Sequence, residues 1–424
     1  MTDLLLRAVR VENATDPTDV LLQGGRIAQI GPALAAPEGA EVYEADGRVL
    51  LPGLVESHLH PDKALLDTIR PNPTGTLAGA ISVTGELKRE FTHESVRARA
   101  EQVLEMCVRN GTTTVRAHPD VDPIARLCGL EVMLELRDAW ADLVTVQIVA
   151  FPQEGIFKAP DTHTLLRKSL DAGADVIGGC TYAEKDLADC RRHVELVLDL
   201  AVEYGVPADL HCDFSDDASD PRFALAGFIA EQTAARGLGG RVALGHVTSL
   251  GALPPAERRA VAADLAQAGV AVVPLPATDL FLGGRGDEQA VRRAIAPVRD
   301  LWDAGVLTAC SNNNIRNAFT PYGTGDLLDT ALLLARLAHL SGPSDLHRVL
   351  RLVTHDAARV VGLTDYGVHV GAAADLVVAD TRDYDAVLLE RPVRSAVIKA
   401  GRIVARATHT SELTLHPARP GGLT

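Results

Sequence analysis

A repeated unit of helix, glycine and apolar strand constrains the fold of this chain more than any other feature. In each copy an amphipathic segment ends in Gly, a short β-branched run follows, and a polar residue comes about six or seven positions after the Gly. Gly is preferred just past a helix C-terminus because it adopts positive φ without strain. The copies are NGTTTVRAH, AGADVIGGC, YGVPADLH, GGRVALGH, AGVAVVPL and AGVLTACS.

Two further apolar runs bring the number of predicted strands to eight. They are VLLPGLVESH at 49–58 and LVTVQIVAF at 143–151. The predicted helices between the strands are 94–109 with Thr92 as N-cap, 186–204, 255–268 and 288–304. Continuous apolar strands that alternate with helices are typical of a parallel barrel buried on both faces. The pattern therefore predicts an α/β fold, a (β/α)8 TIM barrel.

The two ends of the chain carry a different pattern, of short alternating strands joined by Gly turns. These segments are VLLQGGRIAQIG and AEVYEADGRVL near the start, and ADLVVADTRD and RSAVIKAGRIVA near the end. They predict a small β-sandwich built from both termini, with the barrel inserted between its halves. The predicted divisions are 1–50 and 364–412 for the sandwich, 51–363 for the barrel as catalytic domain, and 413–424 for a Pro/Gly-rich tail.

Composition limits the partners that the protein can have. Of its 424 residues 47% are hydrophobic and 23% are charged, which is typical of a globular protein, and the formal net charge is −15. This acidity without a basic patch argues against nucleic acid and anionic membranes as partners. Absence of a signal sequence and of any run of about 20 apolar residues predicts a cytoplasmic protein that does not span a membrane. Six scattered cysteines predict reduced thiols.

Histidines stand at four of the predicted strand ends, where the chemistry of such a barrel takes place. The first strand runs into His58 and His60, and alternation places both imidazoles on the same side. The second, fifth and sixth strands end at His118, His211 and His246. A single histidine beside an apolar face is usually a core residue. This many at strand ends indicates a site for Zn²⁺ or Fe²⁺, which bind neutral imidazoles.

Five stretches, LLPGLVESHLHPDKAL, QIVAFPQEG, HCD, GHVTSLGAL and YGVHVGAAADLVV, are spread over almost the whole chain. Together they resemble the amidohydrolase superfamily, and within it the cytosine deaminases and the N-isopropylammelide amidohydrolases. The resemblance implies one divalent metal, Zn or Fe, held by His58, His60 and His211. It also implies that His246 polarises the bond under attack and that Gln153 binds the heterocycle. By analogy the protein is expected to be a homo-oligomer.

Two positions depart from that family pattern. Asn313 stands where the family carries a metal-binding Asp that accepts a proton from the attacking water. A carboxamide can offer a neutral carbonyl oxygen but cannot accept that proton. Phe214 replaces the glutamate that moves the proton in cytosine deaminases. Loss of a placed base costs about 10²–10⁴-fold in rate.

Three residues near the histidines could replace the missing proton carriers. Lys63, in the HPDK stretch, matches the lysine of the ammelide-hydrolase type and could act as a base if burial beside a cation lowers its pKa. Asp62 and Asp213 are the remaining nearby carboxylates. For these two aspartates the alternative is that they orient metal-ligating histidines.

Carboxamides form a second group at the predicted strand ends. Gln153, Asn313 and Asn314 can each donate and accept hydrogen bonds, which suits the alternating N–H and C=O edge of a pyrimidine, triazine or cyclic imide. Phe319 falls where an aromatic side chain could stack on such a ring. For Asn312 the sequence favours a role in capping the following loop.

The main hypothesis is an amidohydrolase-like enzyme that hydrolyses a C–N bond of a small neutral nitrogen heterocycle, by deamination, dealkylamination or ring opening. Gln153 and Asn314 would hold the ring, His246 would stabilise the developing charge, and Lys63 or Asp213 would move the proton. One alternative is a metal-independent cyclase, isomerase or lyase that uses Lys63, Asp213 and His246. The other is a non-catalytic binding protein.

Overall fold

The structure is a computed structural model that describes residues 2–414, so most of the predicted tail, 413–424, lies outside the described residues. The strands are β1 (Leu4–Val11), β2 (Thr18–Gln23), β3 (Arg26–Gly31), β4 (Glu41–Glu44), β5 (Val49–Pro52), β6 (Leu54–Leu59), β7 (Thr112–Ala117), β8 (Thr145–Ala150), β9 (Val176–Cys180), β10 (Ala208–Cys212), β11 (Val242–His246), β12 (Val270–Val273), β13 (Leu376–Ala379), β14 (Arg394–Lys399) and β15 (Arg402–Arg406). The α-helices are α1 (Leu77–Leu87), α2 (His93–Arg109), α3 (Cys128–Ala139), α4 (Thr162–Asp171), α5 (Leu187–Tyr204), α6 (Ala226–Ala235), α7 (Pro255–Ala268), α8 (Pro276–Leu282), α9 (Val298–Ala304), α10 (Leu327–Leu337), α11 (Pro343–Arg351), α12 (His355–Val360) and α13 (Tyr384–Glu390).

Strands β6 to β12 pair in chain order as a seven-stranded parallel sheet. The predicted eighth strand, 305–311, is not regular. Two isolated parallel bridges take its place, from Thr308 to Val272 on one side and from Asn313 to Leu59 on the other. The ladder is interrupted because the N–H of Cys310 donates to the carbonyl of Leu352 and not to a neighbouring strand. This segment closes the sheet between β12 and β6, which confirms the predicted TIM barrel.

The terminal strands form a second sheet in the order β15-β14-β13-β5-β1-β2-β3, with β4 paired to β1. Both chain ends contribute to one hydrophobic core, to which Leu6 and Leu22 come from the start and Leu376 and Ile398 from the end. The run at 49–58, predicted as one strand, is divided at Gly53. β5 pairs with β13 in the terminal sheet, whereas β6 starts the barrel.

Three of the four predicted helices are confirmed. α2 has Thr92 as its N-cap, in a capping box with Ser95; α5 starts one residue after its cap, Asp186; and α7 has the predicted bounds. The prediction of a helix over 288–304 is wrong, because α9 begins only at Val298. Pro297 precedes it, and proline disfavours helical backbone at the residue before it.

The cysteines agree with the prediction of reduced thiols. All six are free, and all except Cys128 are buried. Among residues 2–414 the helices do not combine the length and the apolar character that a membrane crossing needs.

Gly53 lies where the chain passes from the terminal sheet into the barrel, and we predict that it tolerates no side chain. A Cβ added there would lie 2.2 Å from Oγ1 and 2.8 Å from Cβ of Thr113. Overpacking a core costs about 1–3 kcal/mol. Gly53→Ala is therefore expected to lower the free energy of unfolding by at least that amount in urea denaturation.

Gly85→Ala is the matched control. A Cβ added at Gly85, inside α1, meets no atom within 4 Å. Alanine is about 0.5–1 kcal/mol more favourable than glycine inside a helix, so this variant should be as stable as the wild type or slightly more stable. Equal stability of Gly53→Ala and Gly85→Ala would contradict the prediction that position 53 tolerates no side chain.

Candidate active site

One small cavity at the C-terminal ends of the barrel strands collects most of the predicted site residues. The space left free between its side chains is about 10 Å³, which is room for about one water molecule. The cavity is lined by His60, Lys63, Gln153, Tyr182, His211, Phe214, His246, Thr278, Asn313, Asn314 and Phe319.

Three histidines converge at the floor of this cavity. Nε2 of His211 lies 3.0 Å from Nε2 of His58 and 3.1 Å from Nε2 of His60. Both His58 and His60 lie at the end of β6, and His211 lies on β10, four strands away around the barrel. All three side chains are buried. The structure thus brings together the three residues that the sequence assigns to a metal.

The protonation state of these imidazoles suits the binding of a cation. Burial lowers the pKa of His58 to about 3 and holds the pKa of both His60 and His211 well below the usual value, so all three are neutral. Nδ1 of His60 lies 2.8 Å from the carbonyl oxygen of His118, and a carbonyl only accepts, so this nitrogen carries the proton. Nδ1 of His58 faces Oδ1 of Asp209 at 3.6 Å.

The Nε2 lone pair of His60 therefore points at Nε2 of His211, and Nε2 of His58 approaches the same nitrogen from a second direction. Neutral imidazoles with convergent lone pairs are what Zn²⁺ and similar divalent metals require. The three side chains thus fit one divalent metal ion.

Asn313 offers an oxygen atom in the same cavity as these three nitrogens. Its Oδ1 is buried and has no hydrogen-bond partner within residues 2–414. Its φ of 61° lies in the left-handed region, which Asn adopts more readily than most residues. Because Asn313 lines the same cavity as His60 and His211, its carbonyl oxygen is available as a neutral ligand.

Asp209, which the sequence analysis missed, lies directly behind the histidines. Its Oδ1 faces Nδ1 of His58 and lies 3.3 Å from Nε2 of His118, and its Oδ2 is 2.9 Å from Nη1 of Arg116. Burial alone would raise the pKa of Asp209, but His118 and His58 hold it well below its usual value. A carboxylate on the second nitrogen of a metal-ligating histidine orients the ring. The available signal was its position two residues before His211, on the same face of β10.

His246 pairs with Asp279, and the sequence analysis predicted only the first of these two residues. Its Nδ1 lies 2.6 Å from Oδ1 of Asp279, a buried residue of α8 whose pKa burial raises. Phe214 lies flat against the imidazole, with ring centroids 4.0 Å apart and planes at 12°. The phenylalanine at the position of the family glutamate thus fixes the plane of His246, and Asp279 fixes the protonated nitrogen.

Lys63 belongs to a buried network of charges. Its Nζ donates to Oδ1 of Asp120 at 2.7 Å and to Oε1 of Gln153 at 2.8 Å. Oδ2 of Asp120 lies 2.7 Å from Nζ of Lys88. Although burial opposes it, the two lysines hold the pKa of Asp120 below its usual value. Since Lys63 is already engaged with a carboxylate, it is placed to donate hydrogen bonds, and the geometry does not support its predicted role as a base.

Asp213 is not among the residues that line the cavity. Burial raises its pKa to about 6, and its two oxygens accept hydrogen bonds from the N–H groups of Leu225 and Ala226 at the start of α6. Asp62 accepts from the N–H of Asp120. Within residues 2–414 neither carboxylate bonds to a histidine, so the geometry supports neither proton transfer by Asp213 nor the alternative of orienting a ligand.

The prediction that Asn312 caps the following loop is wrong. Its Nδ2 donates to Glu56, and its Oδ1 accepts from Oγ1 of Thr330 at 2.6 Å, so it ties the closing segment to β6 and α10. Asn317 caps the loop in its place, because its Oδ1 accepts from the N–H of Phe319. The sequence offered three adjacent asparagines without indicating which faced the loop.

Comparison with known proteins agrees with this geometry. The sequence model of the amidohydrolase family matches residues 66–405. The N-isopropylammelide isopropyl amidohydrolase of Pseudomonas sp. (strain ADP) is 28% identical over 410 residues, which cover 95% of this chain and 97% of that protein. A crystal structure of 5-methylcytosine deaminase from Klebsiella pneumoniae liganded with 5-fluorocytosine superposes with a TM-score of 0.91 at 29% identity, covering 98% of this chain and 100% of that one. The crystal structure of N-isopropylammelide isopropylaminohydrolase from Burkholderia multivorans ATCC 17616 gives 0.84 at 35% identity, covering 96% and 99%.

Asp209→Asn should weaken binding of Zn²⁺ about 10–100-fold, the usual cost of losing the partner of a ligating histidine. Dissociation constants are measured by chelator competition on metal-free protein, with circular dichroism to establish that the variant is folded. Asp19→Asn is the control, since Asp19 is a buried carboxylate of the terminal sheet that accepts from the N–H groups of Ala8 and Leu34. Equal affinity of Asp209→Asn and the wild type would refute the assigned role.

Proposed function

The chain belongs to the amidohydrolase family, and on that premise we propose that it hydrolyses the bond between a small nitrogen heterocycle and an exocyclic amine. The observation that carries this proposal is one cavity lined by His60, His211 and His246 and by three carboxamides, with His58 and Asp279 directly behind these histidines. Relatives named for 5-methylcytosine deamination and for N-isopropylammelide hydrolysis support both the ring and the leaving group.

The groups that line the cavity suit a flat ring, which can enter when the side chains move apart. Phe319 and Lys63 lie on one side, with the ammonium 5.4 Å from the ring centroid, and Gln153 and Asn314 supply polar groups that can fix the orientation of the substrate. The charge of Lys63 is balanced by Asp120, so the cavity can accept a neutral ligand. Orientation by such groups is how a small pocket places one carbon against the reacting groups.

His58, His60 and His211, with the carbonyl oxygen of Asn313, would hold one divalent metal such as Zn²⁺ or Fe²⁺. A bound ion supplies Lewis-acid chemistry, because it polarises the bond under attack and lowers the pKa of water. Convergence of the three neutral imidazoles supports metal-assisted hydrolysis over metal-independent acid–base chemistry and over ligand binding alone.

The His246–Asp279 pair takes the place of the two carboxylates that the family pattern has and that this chain lacks. Asp279 holds the proton on Nδ1 of His246, which leaves the lone pair of Nε2 free to act as a base. His246 takes a proton from water as the new C–O bond forms. It returns that proton to the departing nitrogen as the C–N bond breaks, so the free amine leaves.

His246→Asn should lower kcat about 10²–10⁴-fold, as expected for loss of a placed acid–base group. Asp279→Asn should cause a loss of the same order, since it keeps the size of the side chain but removes the charge that orients the imidazole. Activity is measured as amine release from whichever ring of an amino-pyrimidine and amino-triazine panel the Zn²⁺-loaded wild type hydrolyses fastest.

Asp385→Asn provides the matched control. Asp385 forms a similar pair with His347 at 2.7 Å, but this pair lies outside the cavity. Its substitution should leave kcat unchanged. Wild-type turnover by both cavity variants would refute the role of the pair, and a Zn²⁺-loaded wild type that hydrolyses no ring of the panel would refute the proposed function.

A further inference from the structure

We infer that the wall formed by Lys63, Gln153 and Asn314 presents mainly hydrogen-bond donors to the ligand, because both carboxamide oxygens already accept a hydrogen bond from a neighbouring side chain. The cavity then selects rings whose substituents on that side are oxygens, and it rejects rings that place amines there. This inference rests on the proposed function, because it assigns the substrate class of the same cavity. It also revises the sequence-based expectation that the carboxamides read an alternating N–H and C=O edge.

The orientation of Gln153 is fixed by Lys63. An ammonium group has three donors and no acceptor, so the Gln153 atom that lies 2.8 Å from Nζ must be the carboxamide oxygen. Asp120 accepts a second proton of Lys63. The Nε2 group of Gln153 remains, and its contact is a weak one of 3.8 Å to Sγ of Cys180. Gln153 and the third ammonium proton therefore both remain available as donors.

The orientation of Asn314 is fixed by a chain of two contacts. The backbone N–H groups of Phe319 and Thr320 both donate to one atom of Asn317, at 2.9 and 3.2 Å, so that atom is the oxygen. The other atom of the Asn317 carboxamide is thus Nδ2, which donates to Asn314 at 2.8 Å. The oxygen of Asn314 therefore already accepts one hydrogen bond, and its Nδ2 has a long contact of 3.4 Å to Oγ1 of Thr278.

Three donors on one wall make a specific demand on the ligand. The side chains of Lys63, Gln153 and Asn314 are almost completely buried, with exposures of 1%, 6% and 4%. An exocyclic oxygen satisfies these donors, whereas an exocyclic amine sets N–H against N–H and leaves both groups unpaired. Sites built on such buried groups discriminate strongly against the wrong partner. Thr278 and Tyr182 also line the cavity, and their hydroxyl groups can adapt to either ligand.

A matched pair of rings tests the inference. The probes are pyrimidine-2,4-dione and pyrimidine-2,4-diamine, which have the same ring and differ in their exocyclic groups. Dissociation constants are measured by calorimetry on the Zn²⁺-loaded Asp279→Asn protein, in which the wall is intact and turnover is slowed. The dione should bind at least about 100-fold more tightly than the diamine.

Two isosteric substitutions should weaken this preference. In Gln153→Glu one oxygen still accepts from Lys63, and the second replaces the donor Nε2 with an acceptor. Asn314→Asp makes the same exchange beside Asn317. Each should reduce the ratio of the two dissociation constants at least about tenfold. Gln232→Glu is the control, because Gln232 also accepts from a cation, Nη1 of Arg236 at 2.7 Å, but lies outside the cavity.

Several outcomes would overturn the inference. Equal or tighter binding of the diamine would do so, as would binding of neither ring, or a ratio that neither wall substitution changes. Failure of the proposed function can be told apart from these results. If the Zn²⁺-loaded wild type hydrolyses no amino-substituted ring while the dione still binds selectively, the function is wrong and the donor wall stands.

Discussion

The closing contact of the barrel determines the geometry of the site. The N–H of Asn313 donates to the carbonyl of His58, and the N–H of His60 donates to the carbonyl of Asn313, both at 2.9 Å. These two backbone bonds join the irregular last segment to β6, so they complete the ring of strands. They also place the Asn313 carboxamide beside the imidazoles of His58 and His60. Fold closure and ligand placement thus depend on the same pair of hydrogen bonds.

Charge is distributed around this contact so that the buried carboxylates stay outside the proposed coordination sphere. Asp209 pairs with Arg116 and His118. Asp120 pairs with Lys63 and Lys88, and Asp279 pairs with His246. Burying an isolated carboxylate is costly, whereas a paired one can orient its partner. A neutral Asn313 removes one negative charge from the position where the family pattern has an aspartate. In the proposed mechanism, proton transfer is then left to His246, whose imidazole Asp279 orients.

How much the sequence could predict differs between parts of the molecule. The barrel follows from the glycine repeat, and His58, His60, His211 and His246 follow from strand ends, because both are local patterns. Asp279 escaped notice because its partner lies 33 residues away along the chain, whereas Asp209 stands on the same face of β10 as His211 and could have been found. Orientation of the carboxamides was also out of reach, because it depends on which neighbour donates to which oxygen. Local periodicity carries no information on such contacts.

Metal content per protomer tests the central claim most directly. It is determined by mass spectrometry on protein purified without chelators and without a metal-binding tag, for the wild type and for His58→Ala. The account predicts about one equivalent of Zn or Fe in the wild type and its loss in the variant. A folded wild-type protein that carries no metal and cannot be loaded with any would contradict the account.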